Sequence, residues 1–521
     1  MISLECASLT YDDGPTVLAD IALTVEAGEQ VHVVGSSGSG KTSLARLLAG
    51  RTGGDAGTIF RGALTLGGVR LEFGDGAHPR IDPAAWSSRV GYVAQGAWGQ
   101  LSMMSSTVAE EIAFGPANSG MPAGQLRTAV QDIAARLHLT DLLDRDPRTL
   151  SGGQLQKTVI AAALAAEPRV LILDEPFQGL DAGAAADVAA ALDRLRSDGT
   201  GLVICEPMVP RHPPGDVRVL ALEKGSRVFE GTLADARQAG LRRYGIGLEG
   251  EPPRLRSRST ASGHPHDPAS DYPSGKFSGQ LSSRPPDDPS GVPEVGPKDD
   301  GVLAELRGVS FTYPGPAAGK PAGISGVDFR LRRGEVVALL GPNGSGKSTL
   351  LQHLNGLLRP ASGSVWIDGR TLDRRPTGEL AATVGYLFQN TDQQLFERTV
   401  LREVSYGPRA AGRKRGAALE QARLALAEVG LLEYSGLHPY ELDFVRRRLV
   451  AVASMIATRP RLWALDEPTA GLDDVGRNRM GELIWAHAGR GGGVVLATHD
   501  VAFADAVSDR TVILEAGRVP A

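Results

Sequence analysis

Two segments of the 521-residue chain have the residue types and spacing of a phosphate-binding loop. Each reads Gly-x-x-x-x-Gly-Lys followed by a hydroxyl residue, at residues 35–42 and 341–348. The glycines let backbone N–H groups converge on phosphate oxygens, and a helix that begins at the lysine adds its partial positive charge. The lysine would reach the β- and γ-phosphates and the hydroxyl would bind Mg²⁺, so both loops predict ATP and Mg²⁺ as ligands. The predicted cofactor-binding residues are Gly35, Ser36, Ser37, Gly38, Ser39, Gly40, Lys41 and Thr42 in the first loop and Gly341, Pro342, Asn343, Gly344, Ser345, Gly346, Lys347 and Ser348 in the second, with Thr42 and Ser348 as Mg²⁺ ligands.

Each loop is followed, much later in the chain, by an apolar run that ends in Asp-Glu. The runs end at Asp174-Glu175 and at Asp466-Glu467. An aspartate at the end of a buried strand can hold the Mg²⁺ shell, and the glutamate after it can polarise an attacking water. We therefore predict Asp174 and Asp466 as metal ligands and Glu175 and Glu467 as catalytic residues.

The elements that position these residues are short apolar strands. Residues 30–35 and 336–341 are apolar runs that lead through the loops into helical segments, and residues 170–174 and 462–466 are a second buried strand in each copy. Strand, glycine-rich loop and helix in this order predict an α/β fold with a parallel sheet. Because all motifs recur in the same order, the chain is an internal repeat of two P-loop NTPase domains.

A segment between the two copies is rich in Pro, Ser, Gly and Asp. Such a composition cannot bury enough apolar area to offset the entropy of ordering. We predict a first nucleotide-binding domain at 1–245, a disordered linker at 246–301 and a second nucleotide-binding domain at 302–521.

Composition and charge exclude several classes of protein. A formal net charge of −5 argues against a protein that binds nucleic acid through bulk charge. Two cysteines provide neither a disulfide framework nor a cysteine-based zinc site, which favours a reducing cytoplasm. The start of the chain lacks a signal-peptide pattern, and no apolar run is long enough to span a bilayer.

Both halves resemble the nucleotide-binding domains of ATP-binding-cassette transporters. Leu150-Ser-Gly-Gly-Gln154 matches the signature of that family. The resemblance implies, for each half, a parallel core sheet, an antiparallel β subdomain and a helical subdomain. It also implies a head-to-tail pairing of the domains, which is intramolecular here, with each ATP held between one phosphate loop and the signature of the other half. The residues it assigns are the signature Ser151, Gly152, Gly153 and Gln154, the glutamine-loop residues Gln95 and Gln389 as Mg²⁺ ligands, the aspartate-loop residues Asp181 and Asp473, the adenine-stacking Tyr11 and Tyr313, and the switch histidine His499.

The two copies depart from the family pattern unequally. The second signature reads Leu442-Asp-Phe-Val-Arg446, and an alignment of the last strands places Glu206 where the first switch histidine should stand. Both losses fall on the site built on the first phosphate loop. We therefore expect one degenerate site that mainly binds ATP and one complete site that hydrolyses it. The complete site would use Lys347, Ser348, Gln389, Asp466, Glu467 and His499 with the first signature, and its catalytic residues would be Glu467, His499 and Gln389.

The segments after the glutamine loops point to one branch of the family. Each contains Gln-Leu, then Thr-Val, a glutamate and an aromatic residue before glycine, at residues 95–115 and 389–407. This pattern resembles the ATPases of energy-coupling-factor importers, which implies integral membrane partners, a coupling subunit and a substrate-binding subunit, and a peripheral position on the cytoplasmic face of the cell membrane. A soluble ribosome-associated ATPase and a sugar-importer ATPase are the alternatives. The basic triplet Arg446-Arg-Arg448 is interpreted as a solvated helix face.

Overall fold

The computed structural model describes residues 1–11, 14–51, 57–74, 79–150, 152–211, 213, 216–255, 301–313, 323–372 and 377–520. Two copies of one architecture follow each other along the chain. The first copy consists of β1 (Ile2–Tyr11), β2 (Thr16–Val25), β3 (Gln30–Gly35), α1 (Lys41–Leu48), β4 (Thr58–Leu66), β5 (Val69–Phe73), α2 (Pro83–Ser87), β6 (Val90–Val93), α3 (Val108–Asn118), α4 (Ala123–Arg136), α5 (Gly152–Leu164), β7 (Val170–Asp174), α6 (Ala182–Ser197), β8 (Gly201–Glu206), β9 (Arg218–Glu223), β10 (Ser226–Thr232) and α7 (Leu233–Gln238).

The second copy repeats this order as far as the strand equivalent to β8. A helix then precedes its last strand, and the described residues include no counterparts of β10 and α7. It consists of β11 (Val302–Thr312), β12 (Gly323–Arg332), β13 (Val336–Leu340), α8 (Lys347–Leu354), β14 (Ser362–Ile367), β15 (Arg370–Thr371), α9 (Thr377–Leu380), β16 (Val384–Leu387), α10 (Val400–Ala410), α11 (Arg415–Glu428), α12 (Phe444–Thr458), β17 (Leu462–Asp466), α13 (Asp474–Gly489), β18 (Gly493–Ala497), α14 (Val501–Val507) and β19 (Arg510–Ile513).

Each copy has the three predicted parts. The first core sheet has the strand order β10-β9-β3-β8-β7-β6, parallel except for β10, and the second has the order β16-β17-β18-β13-β19 with every pair parallel. Antiparallel sheets of order β2-β1-β4-β5 and β12-β11-β14-β15 form the β subdomains. Helices α3 to α5 and α10 to α12 pack together as the helical subdomains. The predicted fold class is confirmed.

The parallel strands bring the functional loops together at one edge. β3 and β7 are buried at every position, because helices cover both faces of a parallel sheet. Their carboxyl ends lead into the first phosphate loop and into Asp174, and β13 and β17 do the same for the second loop and Asp466. Ligands of open α/β sheets bind at this edge.

Residues 245–255, which we call the strap, connect the two domains. Val209 and Leu248 form a parallel bridge within the first domain, and Leu255 packs against the core of the second. Residues 246–255, placed in the linker by the sequence, are therefore packed structure, whereas 256–300 lie outside the described residues. In the described parts of the chain, none of the helices has both the length and the apolar character of a membrane span.

Candidate ATP sites

The two phosphate loops have nearly the same backbone. Gly40 and Gly346, each just before the helix, have φ values of 99° and 103°, where a side chain would be strained. A Cβ at Gly40 would also lie 2.6 Å from Leu18, and one at Gly346 would lie 2.7 Å from Ile324. Only glycine therefore allows each loop to curl tightly into its helix.

The loop lysines are held at the mouths of their loops. Lys41 Nζ donates hydrogen bonds to the carbonyl oxygens of Gly35 (2.6 Å) and Ser36 (3.0 Å). Lys347 Nζ donates to the corresponding carbonyls of Gly341 (2.6 Å) and Pro342 (3.1 Å). Both ammonium groups are thus placed where phosphate oxygens could replace carbonyl acceptors.

The glutamates after the acidic strands share an unusual backbone conformation. Glu175 and Glu467 have φ values of 52° and 48°, in the left-handed region that non-glycine residues rarely adopt. Each backbone N–H donates to a carbonyl of the neighbouring strand, Glu175 to Cys205 (2.9 Å) and Glu467 to Ala497 (2.8 Å). Strain of this kind is often retained at functional sites, because the surrounding structure fixes it. The shared backbone conformation turns both glutamates in the same way at the end of their strands.

Burial prepares the aspartates for a cation. Burial raises the pKa of Asp174, with nearby Lys41 opposing, and it raises the pKa of Asp466 to about 6. Both carboxylate oxygens of Asp174 are buried without a hydrogen-bond partner. A buried carboxylate in this state is costly unless a cation pairs with it. The residues therefore fit Mg²⁺, which would be held by Asp174 with Thr42 and by Asp466 with Ser348, with Gln95 and Gln389 as the further predicted ligands.

The aspartate loops join the two halves head to tail. Asp473 Oδ2 of the second domain accepts a hydrogen bond from the Ser37 N–H in the first phosphate loop (2.7 Å). Asp181 Oδ2 of the first domain accepts one from the Asn343 N–H in the second loop (3.0 Å). Each aspartate also caps the helix that follows it. The reciprocal contacts place each phosphate loop against the other domain, which agrees with the pairing that the family resemblance implies.

The first site is a cavity of ≈ 300 Å³ between the domains. On one side lie the first phosphate loop with Gln95, Glu175 and Pro207. The second signature segment faces it. The residues of this segment that line the cavity are Asp443, Phe444, Val445 and Arg447, and Gly471 and Asp473 of the aspartate loop line it as well.

The assignment of Glu206 to the switch position is wrong. Asp174 pairs with Cys205 in the core sheet, and Asp466 pairs with Ala497 in the same register. His499 comes two residues after Ala497, and two residues after Cys205 comes Pro207. Proline, with neither an N–H nor a polar side chain, therefore stands where the second site has histidine.

Glu206 instead belongs to a buried polar network that the sequence analysis missed. Its Oε2 lies 2.7 Å from His32 Nδ1, and His32 Nε2 lies 2.8 Å from Gln30 Nε2. His32 and Gln30 are polar residues on a strand that otherwise reads as apolar core, which was the available signal. The carboxylate of Glu206 is thereby paired within the first domain.

Burial, opposed by Lys41, raises the pKa of Glu175 to about 8, and the charges of Asp174 and Glu206 contribute to the increase.

The interpretation of residues 446–448 as a solvated helix face is also wrong. Arg448 is fully buried, and it donates to the carbonyl oxygens of Glu467 and of Gln389 (2.8 Å), so it connects the second signature helix to the second ATP site. Arg446 pairs with Asp443 at 2.5 Å. Arg447 lines the first-site cavity. A basic triplet in place of a signature could have indicated these roles.

The second site keeps its histidine in contact with the predicted catalytic base. His499 Nδ1 lies 3.0 Å from Glu467 Oε2, and the His499 N–H donates to the same oxygen (3.3 Å). Burial favours the neutral imidazole, but the hydrogen bond and charge of Glu467 outweigh it and raise the pKa of His499. A histidine that readily carries a proton can donate to a γ-phosphate.

The first signature lies at the start of α5. Gly153 packs against Ala184, a residue close to Asp181, which contacts the second phosphate loop. Gly152 has open space around the position of a Cβ, and Gln154 lies in the first turn of α5. Ser151 lies outside the described residues. This arrangement agrees with the predicted approach of the first signature to the second loop.

The two predicted adenine-stacking tyrosines are placed differently. Tyr313 is 40% exposed, and its hydroxyl lies 3.2 Å from Gln352 Oε1 on the helix of the second phosphate loop. Tyr11 is only partly exposed and packs against the core of the first domain. Tyr313 is therefore the more exposed of the two rings, and stacking of adenine on either ring stays a prediction.

Together, the two phosphate loops, the acidic strand ends and the reciprocal contacts define a P-loop ATPase with two composite sites. The sequence profile of the ABC transporter family matches residues 18–178 and 324–470. The chain belongs to the ATP-binding proteins of this family, whose cassette domains bind and hydrolyse ATP.

Relatives match almost the whole length of this chain. An ABC transporter ATP-binding protein of Methanosarcina mazei, provisionally named, is 31% identical over 100% of this chain and 94% of its own length. A provisionally named counterpart of Bifidobacterium longum is 33% identical over 98% of this chain, which covers 64% of that protein. The Bacillus subtilis protein YkoD, provisionally named an HMP/thiamine import ATP-binding protein, is 29% identical over 99% and 90% of the two chains. Among solved structures, cbiO1 from Clostridium perfringens, described as part of the ABC transporter complex cbiONQ, is 30% identical over 43% of this chain and 88% of that one, with a TM-score of 0.39.

Proposed function

We propose that this chain is the ATP-hydrolysing subunit of an energy-coupling-factor-type importer for a vitamin or metal ion, positioned peripherally at the cytoplasmic face of the membrane. The observation that carries the proposal is a pair of exposed apolar surfaces beside the two glutamine loops, one in each domain. The name of the Bacillus subtilis relative, which refers to import of HMP or thiamine, agrees with it.

Both surfaces are built by the same four residues of the Gln-Leu, Thr-Val, Glu pattern. In the first domain, Gln100 accepts a hydrogen bond from the Ala94 N–H (2.7 Å), and Leu101 is buried. Thr107 caps α3, and the buried carboxylate of Glu111 accepts from the Ser102 N–H (2.8 Å). These contacts fix the whole loop from residue 94 to α3. The pattern therefore specifies a rigid loop.

The second domain repeats the construction. Gln394 accepts from the Phe388 N–H (3.3 Å), Leu395 is buried and Thr399 caps α10. Glu403 accepts from the N–H groups of Phe396 and Glu397 at 2.8 and 2.7 Å. A glutamate buried at both equivalent positions to hold loop N–H groups supports a common docking role.

The rigid loops present large apolar side chains to solvent. Met104 is 79% exposed and Phe396 is 64% exposed, and Phe396 packs edge-on against Tyr406 at 4.8 Å. Clustered exposed apolar side chains of this kind mark interaction surfaces. Helices of a membrane subunit could dock there and sense the glutamine loops. Further exposed members are Trp98, Met103 and Phe114.

Within this function, we propose that hydrolysis occurs mainly at the second site. Lys347 would bind the phosphates, Glu467 would accept a proton from the attacking water, and His499 would donate to the γ-phosphate. Mg²⁺ would neutralise charge that develops on the phosphate oxygens. At the first site Pro207 offers no donor, so that site would hold ATP without efficient turnover.

The docking surfaces can be tested by purifying the tagged chain from detergent-solubilised membranes of its own host. The proposal expects co-purification of proteins with several membrane spans, lost in a Met104→Asp/Phe396→Asp variant that keeps its ATPase activity. The matched control is Leu424→Asp on α11, where the leucine side chain is 57% exposed, and this variant should still co-purify with the membrane proteins. Co-sedimentation with ribosomes, or partners retained by the double variant, would contradict the proposal.

A further inference from the structure

The strap lies along one face of α13 in the second domain. Gly247 approaches so closely that a Cβ there would lie 2.7 Å from Asp474 Oδ1. The Arg254 N–H donates to Asn478 Oδ1 (2.7 Å), and Leu255 packs where a Cβ on Gly481 would otherwise stand. The first domain thus reaches across and covers a helix of the second.

Arg477 projects from α13 and contacts both the strap and the switch loop. Its side chain is almost completely buried, at 1% exposure. Nη2 pairs with the Asp500 carboxylate at 2.8 Å, and Nη1 donates to the carbonyl oxygen of Glu251 in the strap (3.1 Å). A buried guanidinium is costly unless its donors are paired, so the contacts of Nη1 and Nη2 help to hold it in place.

Asp500 is the residue after the switch histidine. Its carboxylate also accepts from the Phe503 N–H at 3.0 Å and caps α14, so the turn between β18 and α14 is held by the helix and by Arg477. In this turn the backbone N–H and Nδ1 of His499 both face Glu467 Oε2. Arg477 therefore helps to fix the backbone of the turn that orients the imidazole of His499.

The first domain provides an internal comparison. Arg477 is four residues after Asp473, and four residues after Asp181 comes Ala185. The residue that corresponds to Asp500 is Met208, which follows Pro207. The Arg–Asp pair therefore occurs beside the site that keeps a histidine, and neither partner is found at the equivalent positions beside the site without one.

We propose that Arg477 is a positioning residue for the second ATP site and that the docked strap holds it there, so that alignment of His499 depends on contact between the two halves. The inference rests on the proposed assignment of hydrolysis to the second site. It assigns the strap a role in coupling domain contact to ATP turnover.

Steady-state ATPase assays of Arg477→Ala and Arg477→Lys in the full chain test the positioning role. Arg477→Ala should lower kcat about tenfold or more with the KM for ATP unchanged, because the phosphate loop is untouched. Arg477→Lys should recover most of kcat, since it can still pair with Asp500. Arg479→Ala, on the same helix but paired with Glu482, is the control that should stay near wild type. An unchanged kcat in Arg477→Ala, or no recovery in Arg477→Lys, would overturn the inference.

Gly247→Val tests the contact between the strap and α13 without changing any residue of α13. Its side chain would collide with Asp474, so kcat should fall as in Arg477→Ala, and the double variant should fall no further. A normal kcat or independent losses would count against the coupling. Glu467→Gln, assayed in parallel, separates the two claims. Turnover retained by Glu467→Gln refutes the site assignment, whereas its loss together with full activity in Arg477→Ala refutes only the role of Arg477.

Discussion

The two ATP sites share their binding groups and differ in the groups that face them. Both have a phosphate-loop lysine, a hydroxyl residue, a buried aspartate and a glutamate with the same left-handed backbone. The first site is faced by Asp443, Phe444 and Arg447 and has Pro207 at the switch position. The second has His499 in contact with Glu467 and is expected to be faced by the glycine-rich signature. The difference agrees with the proposal that turnover occurs mainly at the second site.

Each change in the first site is accompanied by a local compensation. Asp443 brings a negative charge toward a phosphate site, but it pairs with Arg446, and Arg447 adds a positive charge on the same side. Glu206, next to Pro207, is paired with His32. Compensation of this kind agrees with a site that is kept for ATP binding.

The largest expected effect comes from removing the base of each site in turn. Glu467→Gln should lower ATP turnover about a hundredfold or more, because a positioned general base contributes on that scale. Glu175→Gln should retain most of the turnover, because the first site already lacks a switch histidine. The measurement is steady-state phosphate release by purified variants. Equal losses in the two variants would remove the functional difference between the sites.

A signature exchange tests the same comparison from the opposite side. Gly152→Phe places in the first signature the residue type that the second has at Phe444. Since a Cβ at Gly152 meets open space, the fold should stay intact, but the ring would block approach to the γ-phosphate at the second loop.

We expect turnover of Gly152→Phe to fall about a hundredfold, the scale of losing preorganised donors at a reacting oxygen. The melting temperature should be unchanged. The reverse change, Phe444→Gly, is the matched control and should have little effect on turnover. A fully active Gly152→Phe would show that the first signature does not serve the hydrolytic site.

Arg447 is expected to hold nucleotide at the first site. Arg447→Leu, which introduces the residue found at the equivalent position Leu155, should weaken the first-site nucleotide about tenfold, as expected for one charge-assisted hydrogen bond. Equilibrium binding of ATP to chains that also carry Glu467→Gln measures both sites without turnover. Arg446→Gln, which introduces the equivalent of Gln154, should leave both affinities nearly unchanged. Two unaltered affinities in Arg447→Leu would contradict a phosphate-binding role.

Local sequence signals predicted the fold, and the contact of His499 with Glu467 agrees with the second site that they predict, because the relevant residues lie in short motifs with fixed geometry. Gly346, Lys347 and Asp466 occupy the ends of strands or the start of a helix, so sequence position alone determines where they meet. The head-to-tail pairing followed from the family resemblance, and the contacts of Asp181 and Asp473 agree with it.

The errors arose where a side chain's environment depends on distant segments. The sequence alignment that assigned Glu206 to the switch position was shifted by one residue from Pro207. A shift of one residue moves a side chain to the other face of a strand, so the error changed the predicted surroundings completely. Arg448 was interpreted as part of a solvated helix face, but its acceptors come from the glutamine loop and from Glu467. Residues 246–255 were assigned to the linker because glycine and proline are frequent there, and several of their partners lie in the other domain.

The smallest expected effect concerns how the stability of the two domain cores depends on pH. Trp463 stacks on His487 at 4.3 Å in the second domain, where the first has the buried pair Leu171 and Leu195. Burial lowers the pKa of His487 from 6.5 to about 4, so the folded protein keeps this histidine neutral. In the unfolded chain it binds a proton below about pH 6.5, and stability is therefore lost as the pH falls from there toward 4.

His487→Leu should remove this part of the acid sensitivity. The linkage amounts to at most about 3 kcal/mol at pH 4, from about 1.4 kcal/mol for each pKa unit. Unfolding midpoints measured between pH 4 and 7 should decrease less steeply for His487→Leu than for the wild type. Trp463→Leu, which keeps the histidine, is the control and should retain the steep decrease. Parallel pH profiles for all three proteins would show that His487 does not set the acid sensitivity of the second domain.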